Sequence, residues 1–109
     1  MKFENKVCVI TGGALGIGRC LTQEFARLGA KVAFVDMDEK AGKENLELIR
    51  SAGGEALFFH GDIAEEQTLR DFVQEVVSTY GKVDYLINNA CLSKGGILSA
   101  CSYADFNYV

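Results

Sequence analysis

Proline is absent from all 109 residues, where average usage of about 5% would give about five. Glycine is frequent at twelve, but long periodic segments separate the glycines, which excludes a collagen-like chain or a Pro/Gly linker. No stretch approaches the roughly 20 apolar residues that a membrane span needs, so no membrane partner is expected. The opening residues carry charge without the apolar core and small-residue cleavage site of a secretory signal. Basic residues are outnumbered, eleven against fifteen acids for a net charge of -4. That disfavours nucleic acid, whose binding needs basic surface to displace counterions. Histidine occurs once, as His60, and Cys8, Cys20, Cys91 and Cys101 form no Cys-x-x-Cys pair. No metal site is therefore expected, and the cysteines read as reduced thiols of a cytoplasmic protein. What remains is ordinary globular composition, 49% hydrophobic and 24% charged, in one domain's worth of chain or less.

Short apolar runs alternate with helical patterns. Residues 6–10 and 31–35 are almost wholly apolar, as strands buried on both faces are. Residues 56–60 and 83–87 read as a third and fourth strand. Between them, Ile17, Leu21, Phe25 and Leu28 share one helical face. Ala41, Asn45, Leu48, Ile49 and Ala52 share a second, and Leu69, Phe72, Val73, Val76, Val77 and Tyr80 a third. Gly29, the Gly53–Gly54 pair and Gly81 stop these helices. The order βαβαβαβ implies an α/β fold, a Rossmann-type doubly wound parallel sheet, with right-handed crossovers and partial strand order 3-2-1-4. Near the end, Ser102 and Asp105 look like a helix start, with Phe106 and Val109 opening an apolar stripe. The pattern stops there without a C-cap. The expectation is that residues 1–109 are the N-terminal part of a longer domain.

The glycines between the first strand and helix form a phosphate-binding pattern. Unpaired N–H groups and the dipole at a helix start attract an anion. A Cβ at Gly12, Gly16 or Gly18 would obstruct a tight turn, close approach of a diphosphate, or helix–strand packing. No Lys-Ser/Thr follows, so this is not a P-loop. Asp36 lies twenty residues past Gly16, at the end of the second strand, where an acid can hydrogen-bond the adenosine ribose. A 2′-phosphate beside it would cost about 4 kcal/mol per charge pair at 4 Å and an effective dielectric of 20. Neither Leu15 nor Met37 and Asp38 supplies a compensating base. NAD is thus expected over NADP. Asp38 suits the cap of the second helix, leaving Asp36 free. Asp62 and Ile63, after the third strand, read either as an adenine-binding pair or as a plain loop. Residues 88–90, Asn88, Asn89 and Ala90, reach the same edge of the sheet.

With these residues in hand, the chain resembles the N-terminal part of a short-chain dehydrogenase/reductase. The motifs are TGGALGIG over residues 11–18, Asp36, Asp62 with Ile63, and NNA over 88–90. The resemblance implies that Gly12, Leu15, Gly16, Ile17 and Gly18 hold the diphosphate of a nicotinamide dinucleotide, with Asp36 and Met37 at the ribose. It further implies that Asp62 and Ile63 line the adenine pocket, that Asn89 and Ala90 border the cofactor, and that Asn88 braces the sheet. Cys91 stands where the family usually has Gly. The implied activity is hydride transfer between nicotinamide and an alcohol or carbonyl substrate, in a homo-oligomer. The family's catalytic Ser and Tyr-x-x-x-Lys would lie past residue 109. Tyr103 has Asn107 four positions on, and Tyr108 has no Lys to pair with. The 109 residues by themselves are expected to bind without turnover. The alternative is a non-catalytic dinucleotide-binding or sensor protein on the same fold. An epimerase of the extended branch is disfavoured by its different glycine spacing. His60 reads as a hydrogen-bonded structural residue, and Cys8 and Cys20 as small core or partly buried residues.

Overall fold

A computed structural model describes residues 2–89 of the chain. Four strands, β1 (Val7–Thr11), β2 (Lys31–Asp36), β3 (Glu55–His60) and β4 (Tyr85–Asn88), alternate with three helices. These are α1 (Gly16–Arg27), α2 (Glu39–Ser51) and α3 (Glu66–Tyr80). The strands form one parallel sheet in the order β3-β2-β1-β4, the expected Rossmann-type arrangement. The chain moves one way from β1 to β3 and returns past β1 to β4. The gap between β1 and β4 is thus a topological switch point, where ligands of open sheets bind.

Both faces of the central strands are covered, which is why their sequences are unbroken apolar runs rather than alternating ones. Cys8, Ile10, Val32, Phe34 and Ile87 pack with Ala26 of α1 and Ile49 of α2. The alternate residues Val7, Val9, Ala33 and Val35 pack with Phe72 and Val76 of α3. Burying a side chain such as Phe34 or Phe72 contributes about 2 kcal/mol. The N-terminal segment adds Phe3, whose ring meets Phe25 and Tyr85 edge-on at 5.1 and 5.8 Å.

The helices turn differently from the expected stripes. In α1 the fully buried line is Gly18, Thr22 and Ala26; Leu21 and Phe25 of the expected stripe, partly buried, pack against the same core, and Ile17 does not. Ile17 is 68% exposed and Cys20 is exposed rather than packed. The cause is the close seating of the helix start, which only small residues allow. In α2, Gly42, Asn45 and Ile49 are buried while Leu48 points outward. In α3, Phe72 and Val76 carry the contact, and Leu69, Val73 and Val77 face outward. Gly81, at φ +82, ends α3 in the left-handed region.

At the far end of the sheet, Asp84 extends the β1–β4 pairing with a side chain. Its N–H donates to the Val7 carbonyl at 2.9 Å, and its carboxylate accepts the Val7 N–H at 2.8 Å. The regular strand therefore starts at Tyr85 rather than at residue 83. The expected helix from Ser102, together with Ala90, Cys91, Cys101, Tyr103 and Tyr108, lies outside the described residues.

Candidate functional site

The C-terminal ends of β1, β2, β3 and β4 bring Thr11, Asp36, His60 and Asn88 to one rim. The loop from Gly12 to Leu15 sits at its centre. Gly12 turns at φ +70 and its N–H donates to the Val35 carbonyl at 2.8 Å. Gly16 turns at φ +59, and a Cβ built there would meet no heavy atom within 4 Å. That backbone faces open space. Gly18 is the opposite case, since a Cβ would stand 1.8 Å from the Gly12 carbonyl oxygen and 2.8 Å from Asn89 Nδ2. Gly13 has a role the sequence reading missed. Its Cβ would lie 2.6 Å from Phe34 Cβ, so this glycine lets the loop rest on β2.

Leu15, 55% exposed, occupies the N-cap of α1 and gives no side-chain cap, and the first turn holds no acid. The positive end of this helix is thus left without the oxygen that usually satisfies it. By contrast, α2 is capped by Asp38, whose Oδ1 accepts the Ala41 N–H at 2.9 Å.

Asp36 is not free. Its Oδ2 accepts the Ala14 N–H at 3.1 Å and its Oδ1 the Asp38 N–H at 3.0 Å. The sequence distance hid this tie, which joins the end of β2 to the glycine loop. Met37 is exposed beside it, and its carbonyl oxygen lies 2.9 Å from Nε2 of His60. Asp62 spends Oδ1 on the Ala64 N–H at 2.9 Å, a local turn ahead of α3. Ile63 packs against the α3-side core. At the other flank, Thr11 Oγ1 donates to Asn88 Oδ1 at 2.6 Å, and Asn89 Nδ2 donates to the Gly12 carbonyl at 3.1 Å. Ala90 lies outside the described residues.

Two further side chains hold the loop, and nothing in the glycine motif signals them. Asn45, wholly buried in α2, donates through Nδ2 to the Gly13 carbonyl at 2.9 Å and to Thr22 Oγ1 at 2.8 Å. Arg19 donates through Nε to the Ala14 carbonyl at 2.7 Å and through a terminal nitrogen to the Ala41 carbonyl at 3.0 Å. Its other nitrogen pairs with Glu44 at 2.9 Å. An apolar groove of about 570 Å³ between α1 and α2, lined by Ala26, Leu48, Ile49 and Ala52, holds none of the rim residues. Among the described residues, no three His, Cys, Asp or Glu side chains gather as a metal site would require. Among them, too, no helix is long and apolar enough to cross a membrane.

The family model for short chain dehydrogenases matches residues 6–109, and the chain belongs to that family. An uncharacterized oxidoreductase of Thermotoga maritima is 44% identical over 107 residues, 98% of this chain and 42% of the relative. The short-chain dehydrogenase/reductase homolog YusS of Bacillus subtilis is 36% identical over 86% of this chain and 87% of its own length. The crystal structure of a hydroxysteroid dehydrogenase from Escherichia coli matches with a TM-score of 0.81 at 36% identity, covering 87% of this chain and 40% of that one. A metagenomic short-chain oxidoreductase, solved in complex with NADP, matches with a TM-score of 0.81 at 28% identity, covering 99% and 49%. The chain thus spans about two fifths of the Thermotoga relative and a larger share of YusS.

Proposed function

We propose that this chain is the cofactor-binding part of an oxidoreductase that moves hydride between a nicotinamide dinucleotide and an alcohol or carbonyl substrate. The observation that carries the reading is Gly16: it leaves backbone open to solvent at the uncapped, positive start of a helix, on the rim at the switch point. Gly12, Leu15, Gly16, Ile17 and Gly18 would seat the diphosphate there. Asp36 would accept the ribose hydroxyls, with Met37 beside it. Asp62 and Ile63 would flank the adenine, and Asn89 and Ala90 the nicotinamide side. The dinucleotide itself supplies the hydride acceptor or donor.

NAD is favoured over NADP, because a 2′-phosphate would meet the Asp36 carboxylate. Arg19 offers that phosphate little relief, since all three of its guanidinium nitrogens are engaged. The working form is a homo-oligomer in the cytoplasm. A second reading, dinucleotide binding without turnover, draws on YusS, 87% of whose length this chain covers.

Calorimetric titration of the full chain with NAD and with NADP tests the reading. Tighter NAD binding is expected. Equal or tighter NADP binding removes the Asp36 argument, and no binding of either removes the proposal. The reading frame past residue 109 separates the two readings: a Ser and a Tyr-x-x-x-Lys there support turnover, and their absence supports binding alone.

A further inference from the structure

Three consecutive carbonyls of the glycine loop are each held by a side chain from a different part of the fold. Asn89 takes Gly12, Asn45 takes Gly13 and Arg19 takes Ala14. A trans peptide is planar, so its carbonyl and the next N–H point in opposite directions. No cis peptide interrupts this segment. Fixing the Gly13 oxygen toward α2 therefore aims the Ala14 N–H the other way, and that N–H is the one Asp36 Oδ2 accepts at 3.1 Å.

We infer that Asn45 is a positioning residue for cofactor specificity, acting through the Gly13–Ala14 peptide to set the carboxylate of Asp36. Its location supports this. Asn45 is 0% exposed and touches no solvent-facing part of the rim, so it acts only through what it holds. Every polar atom of its amide is used. Nδ2 serves Gly13 and Thr22, and Oδ1 accepts from Gln23 Nε2 at 3.0 Å. A buried amide with both ends satisfied has one orientation, and it passes that orientation to the loop. Asp36 is held from both sides, by Ala14 and Asp38. Without Asn45 the Ala14 N–H is free to turn, and the carboxylate loses one of its two anchors. A loosened carboxylate still accepts a ribose hydroxyl, but it also swings away from a 2′-phosphate, so discrimination falls more than affinity does.

The inference rests on the proposed dinucleotide site, and its test separates the two. The ratio of NADP to NAD dissociation constants is measured by calorimetry for the full chain, Asn45→Ala and Thr22→Val, with melting temperatures alongside. Thr22→Val takes one partner from the Asn45 amide but leaves its bonds to the Gly13 carbonyl and to Gln23. Asn45→Ala is expected to lower the ratio by at least about fivefold, while Thr22→Val lowers the melting temperature and leaves the ratio unchanged. Asn45→Leu, which keeps about the volume of the side chain but offers no donor to the Gly13 carbonyl, is the second variant should Asn45→Ala not fold. An unchanged ratio in the folded Asn45 variant, or an equal drop in Thr22→Val, overturns the positioning role alone. An unsubstituted chain that binds no dinucleotide overturns the site itself, and one that binds without preferring NAD overturns the Asp36 argument; either result takes this inference with it.

Discussion

Asp36 and Ala14 meet at 3.1 Å, carboxylate to amide, across 22 positions of sequence. The acid proposed to meet a ribose is thereby fastened to the loop proposed to seat a diphosphate. The parallel sheet makes this possible: β1 and β2 run in register, Thr11 beside Val35, so the turn after β1 and the end of β2 open at the same height.

Replacing Asp36 by Ala therefore acts twice. NAD affinity is expected to fall about tenfold or more with the loss of charge-assisted ribose bonds, each worth about 1.5–3 kcal/mol. NADP affinity is expected to fall less or rise. The Ala14 and Asp38 amides also lose their acceptor, which lowers stability by about 1–2 kcal/mol. Paired titrations and urea unfolding read the two effects separately. Parallel losses for both dinucleotides would show that Asp36 matters to the loop and not to the sugar.

The two ends of the glycine motif are expected to fail in different ways. Gly16→Ala meets no atom but must hold φ +59, a strain of about 1 kcal/mol or slightly more. The chain should fold and lose dinucleotide binding, because the new methyl stands where the ligand would approach. In Gly18→Ala the methyl meets the Gly12 carbonyl oxygen at 1.8 Å, so backbone must move, and about 3 kcal/mol or more of stability is lost. Circular dichroism melts and binding on both variants distinguish these outcomes. A folded Gly16→Ala that still binds NAD at full strength would move the ligand elsewhere.

The sheet is readable because strands covered on both faces have no polar alternation to hide them, and because right-handed crossovers together with a dinucleotide-type glycine turn narrow the strand orders open to βαβαβαβ. The rim residues Gly12, Gly16, Gly18 and Asp36 stand out by spacing. Asn45 and Gly13 do not, since each meets a carbonyl or a ring far away in sequence, and Arg19 does not because its bond back to Ala14, five residues away, follows no helix or cap spacing. The helical period puts Asn45 on the buried face of α2, which gives its burial but not its partner. Ile17 departs from its stripe for a related reason: periodicity groups it with Leu21 and Phe25, which do pack, whereas the start of α1 seats through its small residues and leaves Ile17 outside.

Alkaline conditions should weaken the fold through Cys8. Burial, with Asp84 as a smaller cause, pushes this thiol up to about 11 from 9.0. A raised value in the folded state means that the unfolded chain gives up its proton first. Stability is intact below about pH 9 and declines as pH climbs toward 11, by on the order of 2 kcal/mol. Tyr80 acts in the same direction somewhat higher, since burial, then Glu55, lifts it to about 12 against the opposing pull of Arg50. Unfolding midpoints at pH 8 and 10.5 should differ less in Cys8→Ala. Alkylation at pH 8 with peptide mapping should mark exposed Cys20 and spare Cys8 until the chain unfolds. Native-state labelling of Cys8 as fast as Cys20 would contradict its burial.

Asp84 should govern the acid limb. The Val7 N–H, at 2.8 Å, is the main cause that holds its carboxyl below the ordinary carboxylate range, and Lys82, with Nζ at 3.0 Å, adds to it. A value depressed by folding contributes stability above the unfolded carboxylate range, and that stability is lost as pH falls through the folded value. Asp84→Asn keeps an oxygen for the Val7 N–H but surrenders the charge. The variant should be less stable than the parent at pH 7, and the difference should close as the parent's carboxylate is protonated in acid. Removing this charge also takes away one of the two causes that raise Cys8, so the alkaline decline should shrink slightly in the same variant. Urea midpoints for both proteins across pH 2.5 to 10.5 examine the two limbs together. A gap between them that stays constant from neutral to acid pH would mean that the carboxylate acts by shape alone, with its charge contributing nothing to the pairing of β1 with β4.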